Sequence, residues 1–545
     1  MSLTRFVLLI LCLSLATACT TRHRTAPTLV DSNGALEKTH YQAELVAPDG
    51  VKFRFTVFQP SLRRGQKAPL VIHSHGFALT RMESSFDVYR VILAGKTVME
   101  LWDKGYWVIS IDQRGHGKTG GKIGLMDEDK EIADVVRLVD WAQENLALAG
   151  VDGDPKVGMI GESYGGGVQM LATVADPRID AVVPITTWFD LERALIPDGV
   201  PKSDWLMFLG VAGYGINPWH MDSDIASGVF KEILFDKPQP ALRARLRRNS
   251  LVSRCDAGEY PKADALLIQG YRDVLFPVNQ ALAARECFLK GGRDVRLIAV
   301  EHGHLAPTAQ LSPRIPIWHV DPTVRCGGRN LDVQRTIINW FDLKLRDRNI
   351  PDSSVPHWCL TGDRALDAAQ ALPPAISVPF GPVAVGSGAS GLVEWAARPV
   401  DHVGNWFRPA RVPENWDEPR NGWLRPARVP LVKIEGPTWV AGVPSVDIDI
   451  TDSDRSQPIL FLRLAAWKPG SGSYRVLNQQ VTPVRGTGPQ RIELAAVRAR
   501  LDKGEIVGLL VQGYSNQFRM AGSGWGTDAT VQGTLALPVA GVSSP

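Results

Sequence analysis

The chain has little net charge for its length, and its one long apolar run stands at the start. Each shortage excludes a class of protein. Sixty Lys and Arg against 57 Asp and Glu leave a net charge of +3 over 545 residues. No dense basic block appears, so the electrostatic footprint of a nucleic-acid binder is missing. Beyond the first residues, no hydrophobic run is long and uncharged enough to span a bilayer. What is present is ordinary for a globular protein: 44% hydrophobic and 21% charged residues. A chain of this length exceeds one core and divides into two or three domains.

Residues 1–19 read as an export signal. Arg5 supplies the positive start, 6–15 form an apolar run too short to span a bilayer, and Ala16-Thr17-Ala18 is a small-residue cleavage site. Cys19 follows at once, as in a bacterial lipobox, although Ala16 stands where that motif usually has Leu. Cleavage leaves Cys19, Cys255, Cys287, Cys326 and Cys359. An odd count in an exported chain needs an explanation, and acylation of Cys19 leaves four for two bridges. Proximity pairs Cys255 with Cys287 and Cys326 with Cys359. Four cysteines allow three connectivities, and four free buried thiols are the alternative. The stretch 20–40 suits a tether. The expected location is the periplasm or the outer membrane, reached by a lipid anchor alone; a free secreted protein is the other reading.

Residues 41–350 carry the alternation of an α/β protein. A hairpin is expected around Pro48-Asp49-Gly50, where Val51, Phe53, Phe55 and Val57 alternate. Strands are then expected at 70–73, 107–111, 157–160, 181–185, 266–269 and 295–300. Several are continuous β-branched runs, as buried parallel strands should be. Helical spacing marks 131–145 between them, and 331–345 reads as the last helix. The alternation implies a mostly parallel sheet covered on both faces.

Gly161-Glu162-Ser163-Tyr164-Gly165 is a G-x-S-x-G motif with an apolar strand before it and a helix-compatible segment after it. That context fits a serine held on a sharp, strained turn, with glycines where neighbouring backbone crowds in. Ser163 is the expected nucleophile. An orienting acid and a base should follow in the order Ser, Asp, His. Asp273 stands just past the end of 266–269 and fits the acid, whereas Asp264 and Asp294 precede their strands. His304 in Glu301-His302-Gly303-His304 is the favoured base, because its Gly-His step lets the loop turn back; His302 is the alternative. Backbone N–H groups of Tyr164 and Phe77 are the expected oxyanion donors. The His73/His75 and His302/His304 pairs could each offer two metal ligands on one strand face. No accompanying acid follows a metallohydrolase order, so neither metal nor cofactor is expected. Arg114 and His116, in the turn after 107–111, read as loop-packing residues.

With Gly161 through Gly166, and with Thr186-Thr187-Trp188-Phe189-Asp190-Leu191 after the next strand, the chain resembles the cocaine-esterase and Xaa-Pro dipeptidyl-peptidase group of serine hydrolases. The resemblance implies an α/β-hydrolase fold with a helical cap, Ser-Asp-His acyl transfer, and a small ester or peptide substrate. Members often place a Tyr hydroxyl in the oxyanion hole, where this chain offers Phe77. The cap would be the aromatic-rich stretch 191–253. A dipeptidyl peptidase would also need an acid for the substrate's ammonium, and Glu162, Asp190, Glu192 and Asp204 are the candidates by sequence. Residues 351–382 read as a linker. From 383 to 545, short alternating segments between Gly, Pro, Asp and Ser turns indicate an all-β jelly-roll sandwich, which the resemblance also implies. Within it the run from Trp406 to Pro413 nearly recurs from Trp423 to Pro430, read as a loop packed on the catalytic domain. A surface binding lipoprotein with a vestigial hydrolase domain is the rival reading.

Overall fold

The computed structural model describes Val30 and residues 34–85, 92–151, 153–216, 220–235, 238–301, 303–304, 323–359, 365–366, 372–386, 426–452, 457–471, 474–513, 515–518 and 528–540. The signal segment with Cys19, most of the tether, His302 and the first copy of the Trp-Arg-Pro repeat lie outside them.

The ten-stranded sheet of the first half begins with the antiparallel hairpin β1 (Thr39–Val46) and β2 (Lys52–Gln59). It continues through β3 (Leu70–Ser74), β4 (Trp107–Ile111), β5 (Val157–Glu162), β6 (Ile179–Ile185), β7 (Asp264–Gly270) and β8 (Val295–Val300). Their spatial order is β1-β2-β4-β3-β5-β6-β7-β8, parallel from β4 through β8. This is the α/β-hydrolase arrangement. Strands β3 and β4 are buried at every residue, the property their apolar runs express.

Helices cover the two faces. On one side lie α1 (Leu93–Asp103) and the closing helix Val333–Leu345, whose Trp340 and Phe341 are fully buried. On the other lie α2 (Ala133–Asn145), α3 (Tyr164–Ala175) and the later helix Val278–Lys290. Between β6 and β7 the described residues form the α-helices α4 (Leu191–Leu195), α5 (Ser203–Ile216), α6 (Ser223–Phe235), α7 (Pro240–Arg248) and α8 (Leu251–Asp256). They occupy the stretch read as a cap. Disulfides join Cys255 to Cys287 and Cys326 to Cys359. The first ties α8 to Val278–Lys290. No described helix is long and apolar enough to cross a membrane.

The second half is antiparallel. One sheet orders Gly488–Glu493, Ser445–Asp452, Asp528–Ala540, Thr438–Gly442 and Val497–Leu501, and Ala375–Gly386 also pairs with Asp528–Ala540. The other orders Ala427–Lys433, Ile506–Gln512, Ile459–Trp467 and Arg475–Val476, with Thr482–Arg485 also on Ile459–Trp467. Their inward residues form one aliphatic core that includes Val446, Ile448, Leu460, Leu462, Leu509 and Val531. The segment 351–382 differs from a plain linker. Trp358–Cys359 adds a parallel strand beside β8, and Ala375–Gly386 begins inside that segment. The described end of the second copy of the repeat is a strand and not a loop, since Ala427–Lys433 pairs with Ile506–Gln512.

Candidate active site

Strand β5 delivers Ser163 onto a turn with φ 52° and ψ −112°, a conformation that non-glycine residues avoid. The motif's glycines make this possible. A Cβ on Gly161 or on Gly165 would collide with the Ser74 carbonyl oxygen at the end of β3. The Ser74 hydroxyl donates to the Gly165 carbonyl at 2.7 Å, which fixes that approach. Gly166 and Gly167 let α3 lie directly on Thr187 and Trp188. The Ser163 N–H donates to Ile185 O at 2.8 Å, and the Thr187 hydroxyl to Ser163 O at 2.8 Å.

The loops after β7 and β8 bring two more groups to the same rim. His304 Nε2 lies 3.0 Å from Ser163 Oγ, and His304 Nδ1 lies 2.9 Å from Asp273 Oδ2. Asp273 is fully buried and accepts the N–H groups of Leu275 and Phe276 at 3.0 and 2.8 Å, and Gln269 Nε2 at 3.1 Å. Trp205 and Phe276 stand edge-on to the imidazole, at 5.5 and 5.1 Å between ring centres. Those walls leave the ring little freedom except toward the serine.

Two charged neighbours adjoin this site: Lys202, which the sequence did not single out, and Glu162, which it offered only as an acid for a substrate's ammonium. Lys202, from the cap, is buried and donates to Val274 O at 2.7 Å and Leu275 O at 2.8 Å. Burial pushes it down to about 7, with Asp273 pulling the other way. Glu162 accepts the Ala94 N–H at 3.1 Å, and burial pushes it up to about 7 against that bond and the nearby His304. Neither Lys202 nor Gln269 carries a sequence signal, because each matters only through folding.

Tyr164 opens α3, so its N–H has no acceptor within the helix. Phe77 lines the same cavity as Ser163, and its ring meets that of Tyr164 at 5.6 Å. The remaining sequence candidates have structural partners. His73 Nδ1 is 2.9 Å from the Ser110 hydroxyl, and His75 bonds Gly76 O and the Gln113 N–H. Burial holds His73 at about 4 and His75 and His116 at about 3, so all three are neutral near pH 7. Arg114 is clamped by Asp134 and Asp49. Asp264 and Asp294 bind Lys344 at the far end of the sheet.

Above Ser163 lies a cavity of about 350 Å³ between the sheet and the cap. Leu191, Leu206, Met221, Ile225, Val229 and Leu275 line it, and its only polar-bearing described residues are Ser163, Tyr164 and Trp188. None of Glu162, Asp190, Glu192 or Asp204 lines it. Asp190 instead binds Arg247 at 2.8 Å.

Fold and match together define the class of fold, that of the α/β-hydrolases. Residues 49–288 match the model of the X-Pro dipeptidyl-peptidase (S15 family). Similar solved structures include a CocE/NonD family hydrolase from Staphylococcus aureus (12% identity, TM-score 0.59, covering 97% of this chain and 99% of that one). Another is an alpha-amino acid ester hydrolase (16%, TM-score 0.58, 95% and 100%). A third is an aminopeptidase from a marine sediment archaeon, Thaumarchaeota archaeon (13%, TM-score 0.60, 96% and 99%). These likenesses extend over both halves of the fold. An uncharacterized 31.7 kDa protein of Escherichia coli is 24% identical over 161 residues, 30% of this chain. The chain spans about half the length of that curated relative.

Proposed function

We propose that the chain is a serine hydrolase that cleaves carboxylic esters with an apolar acyl group. Ser163 is the nucleophile, His304 the base and Asp273 the orienting acid. His304 takes the Ser163 proton as Oγ bonds to the ester carbonyl carbon. The N–H groups of Tyr164 and Phe77 hold the oxyanion. His304 then gives its proton to the leaving alkoxide as the carbon–oxygen bond breaks. Water, deprotonated by the same imidazole, hydrolyses the acyl-enzyme. No step calls for a cofactor.

The observation that carries this reading is the relay of 3.0 and 2.9 Å standing under an apolar cavity. Cleavage at Xaa-Pro, the activity printed for the matched family, is the second reading. It requires a carboxylate facing the substrate's ammonium, and the described lining offers none. A non-catalytic binding lipoprotein is disfavoured, because a relay of three aligned side chains has no purpose there. The accompanying proposals are acylation at Cys19, a periplasmic or outer-membrane location, and a jelly-roll connectivity for the C-terminal sheets.

The test compares p-nitrophenyl butyrate and octanoate with Ala-Pro-p-nitroanilide. Ester turnover should exceed anilide turnover, and Ser163→Ala should lose about 10⁴-fold or more of it. Anilide as the better substrate would transfer the assignment to the peptidase reading.

A further inference from the structure

The acid and the base of the proposed relay sit just past the ends of β7 and β8, and both places are gripped by residues of the C-terminal half. Gln480 is buried, and its Nε2 donates to Tyr271 O at 2.6 Å and to Asp273 O at 3.1 Å. It is presented by a turn in which Asn478 and Gln479 have φ of 51° and 59°. Two successive left-handed non-glycine residues are costly and persist only where the surroundings enforce them. Asn478 Oδ1 accepts the Arg498 N–H at 2.7 Å. Arg498 in turn reaches Glu301 Oε1 at 2.9 Å and Ala299 O at 3.2 Å, with its guanidinium 4.8 Å from the centre of the Tyr271 ring. The two loops also press on each other, since a Cβ on Gly303 would meet Arg272 O at 2.5 Å.

The geometry points to Gln480 and Arg498 as positioning residues for the hydrolysis: the C-terminal sheets hold the Asp273 and His304 loops in register with Ser163. This rests on the triad reading above. The sheets are then part of the working enzyme and not an appended binding module. A relay that tolerates little misplacement gives such a device its value, because small displacements from remote contacts cost rate steeply. The second grip on the acid turn, Lys202 from the cap, comes from the opposite direction in the chain. Two segments far apart in sequence thus hold backbone carbonyls of the turn that carries one carboxylate.

The test uses the full chain and p-nitrophenyl butyrate. Gln480→Met keeps length and removes both donors, Gln480→Lys restores a donor, and Arg498→Met releases the second loop. Asn279→Ala is the control, because Asn279 joins the two halves through Leu494 O and the Ala496 N–H without touching either loop. Gln480→Met should lower kcat about tenfold or more with KM within about twofold, since orientation and not binding is lost. The acid limb of its kcat/KM profile should move to lower pH, because a displaced carboxylate no longer favours the imidazolium. Gln480→Lys should recover part of kcat, and the control should keep wild-type kcat. Should Gln480→Met not fold, Arg498→Met is read by the same criteria. Wild-type kcat and pH profile in the folded variant would overturn the proposal. So would an equal kcat loss in Asn279→Ala, which would mean general loosening. Ser163→Ala, run alongside, separates the two failures: persistent turnover there defeats the triad reading, whereas a dead Ser163→Ala beside an unaffected Gln480→Met defeats only the positioning role.

Discussion

Lys202 shows how a single buried charge reports on the site. Its amine holds the carbonyls of Val274 and Leu275, directly behind the two N–H groups that grip Asp273. Burial lowers it from 10.5 to about 7. Between those values the unfolded chain binds a proton that the folded chain does not, so stability rises with pH across that window. Below about pH 7 the folded chain must carry the buried charge and this gain is absent. Lys202→Met removes the effect. The stability difference, wild type minus Lys202→Met, should grow from pH 7 to 9 by up to about 1.4 kcal/mol per pH unit. Urea unfolding at three pH values measures it, and a flat difference would show that Lys202 stays charged. The G-x-S-x-G turn, by contrast, was legible at this scale. Its glycines are demanded by the Ser74 carbonyl, and the motif encodes that demand locally. Lys202, Gln269 and Gln480 were not legible, because their roles are defined by carbonyls and a carboxylate that only the fold brings near.

Strands β3 to β8 were readable as elements because they are mainly apolar and several are continuous runs, the signature of burial on both faces. The cap was readable as an aromatic-rich interruption, but not its use. Helices α4 to α7 put Leu191, Leu206, Ile225 and Leu246 around the cavity that Ser163 lines, where the proposed acyl group would lie. Ala226, on α6, faces the same space. Ala226→Trp should shorten the acyl group accepted, cutting the octanoate-to-butyrate ratio of kcat/KM about tenfold, the scale of a lost methylene or two in an apolar pocket. Relative rates across a p-nitrophenyl ester series check it. An unchanged ratio would place the acyl chain elsewhere. The strand Ala375–Gly386 shows the opposite case. Pro379 and Pro382 argue against a strand, yet the segment pairs along Asp528–Ala540 with a register shift between Phe380 and Val383.

Over the whole molecule, the sheet, the cap and the C-terminal sheets meet at one relay. Ser163 comes from β5, Asp273 and His304 from the loops after β7 and β8, Lys202 from the cap, and Gln480 and Arg498 from the C-terminal half. The order Ser, Asp, His along the chain was enough to pick three side chains that lie within hydrogen-bond reach, because strand ends on one rim of a parallel sheet gather there. The supports from the other modules depend on contacts across some two hundred residues and leave no local trace. The measurement that tests the central claim most directly is site mapping of a fluorophosphonate adduct on the intact protein. The expected result is one adduct, on the peptide containing Ser163, abolished by Ser163→Ala and greatly slowed by Asp273→Asn. An adduct on another residue, or none while ester turnover persists, would contradict the account.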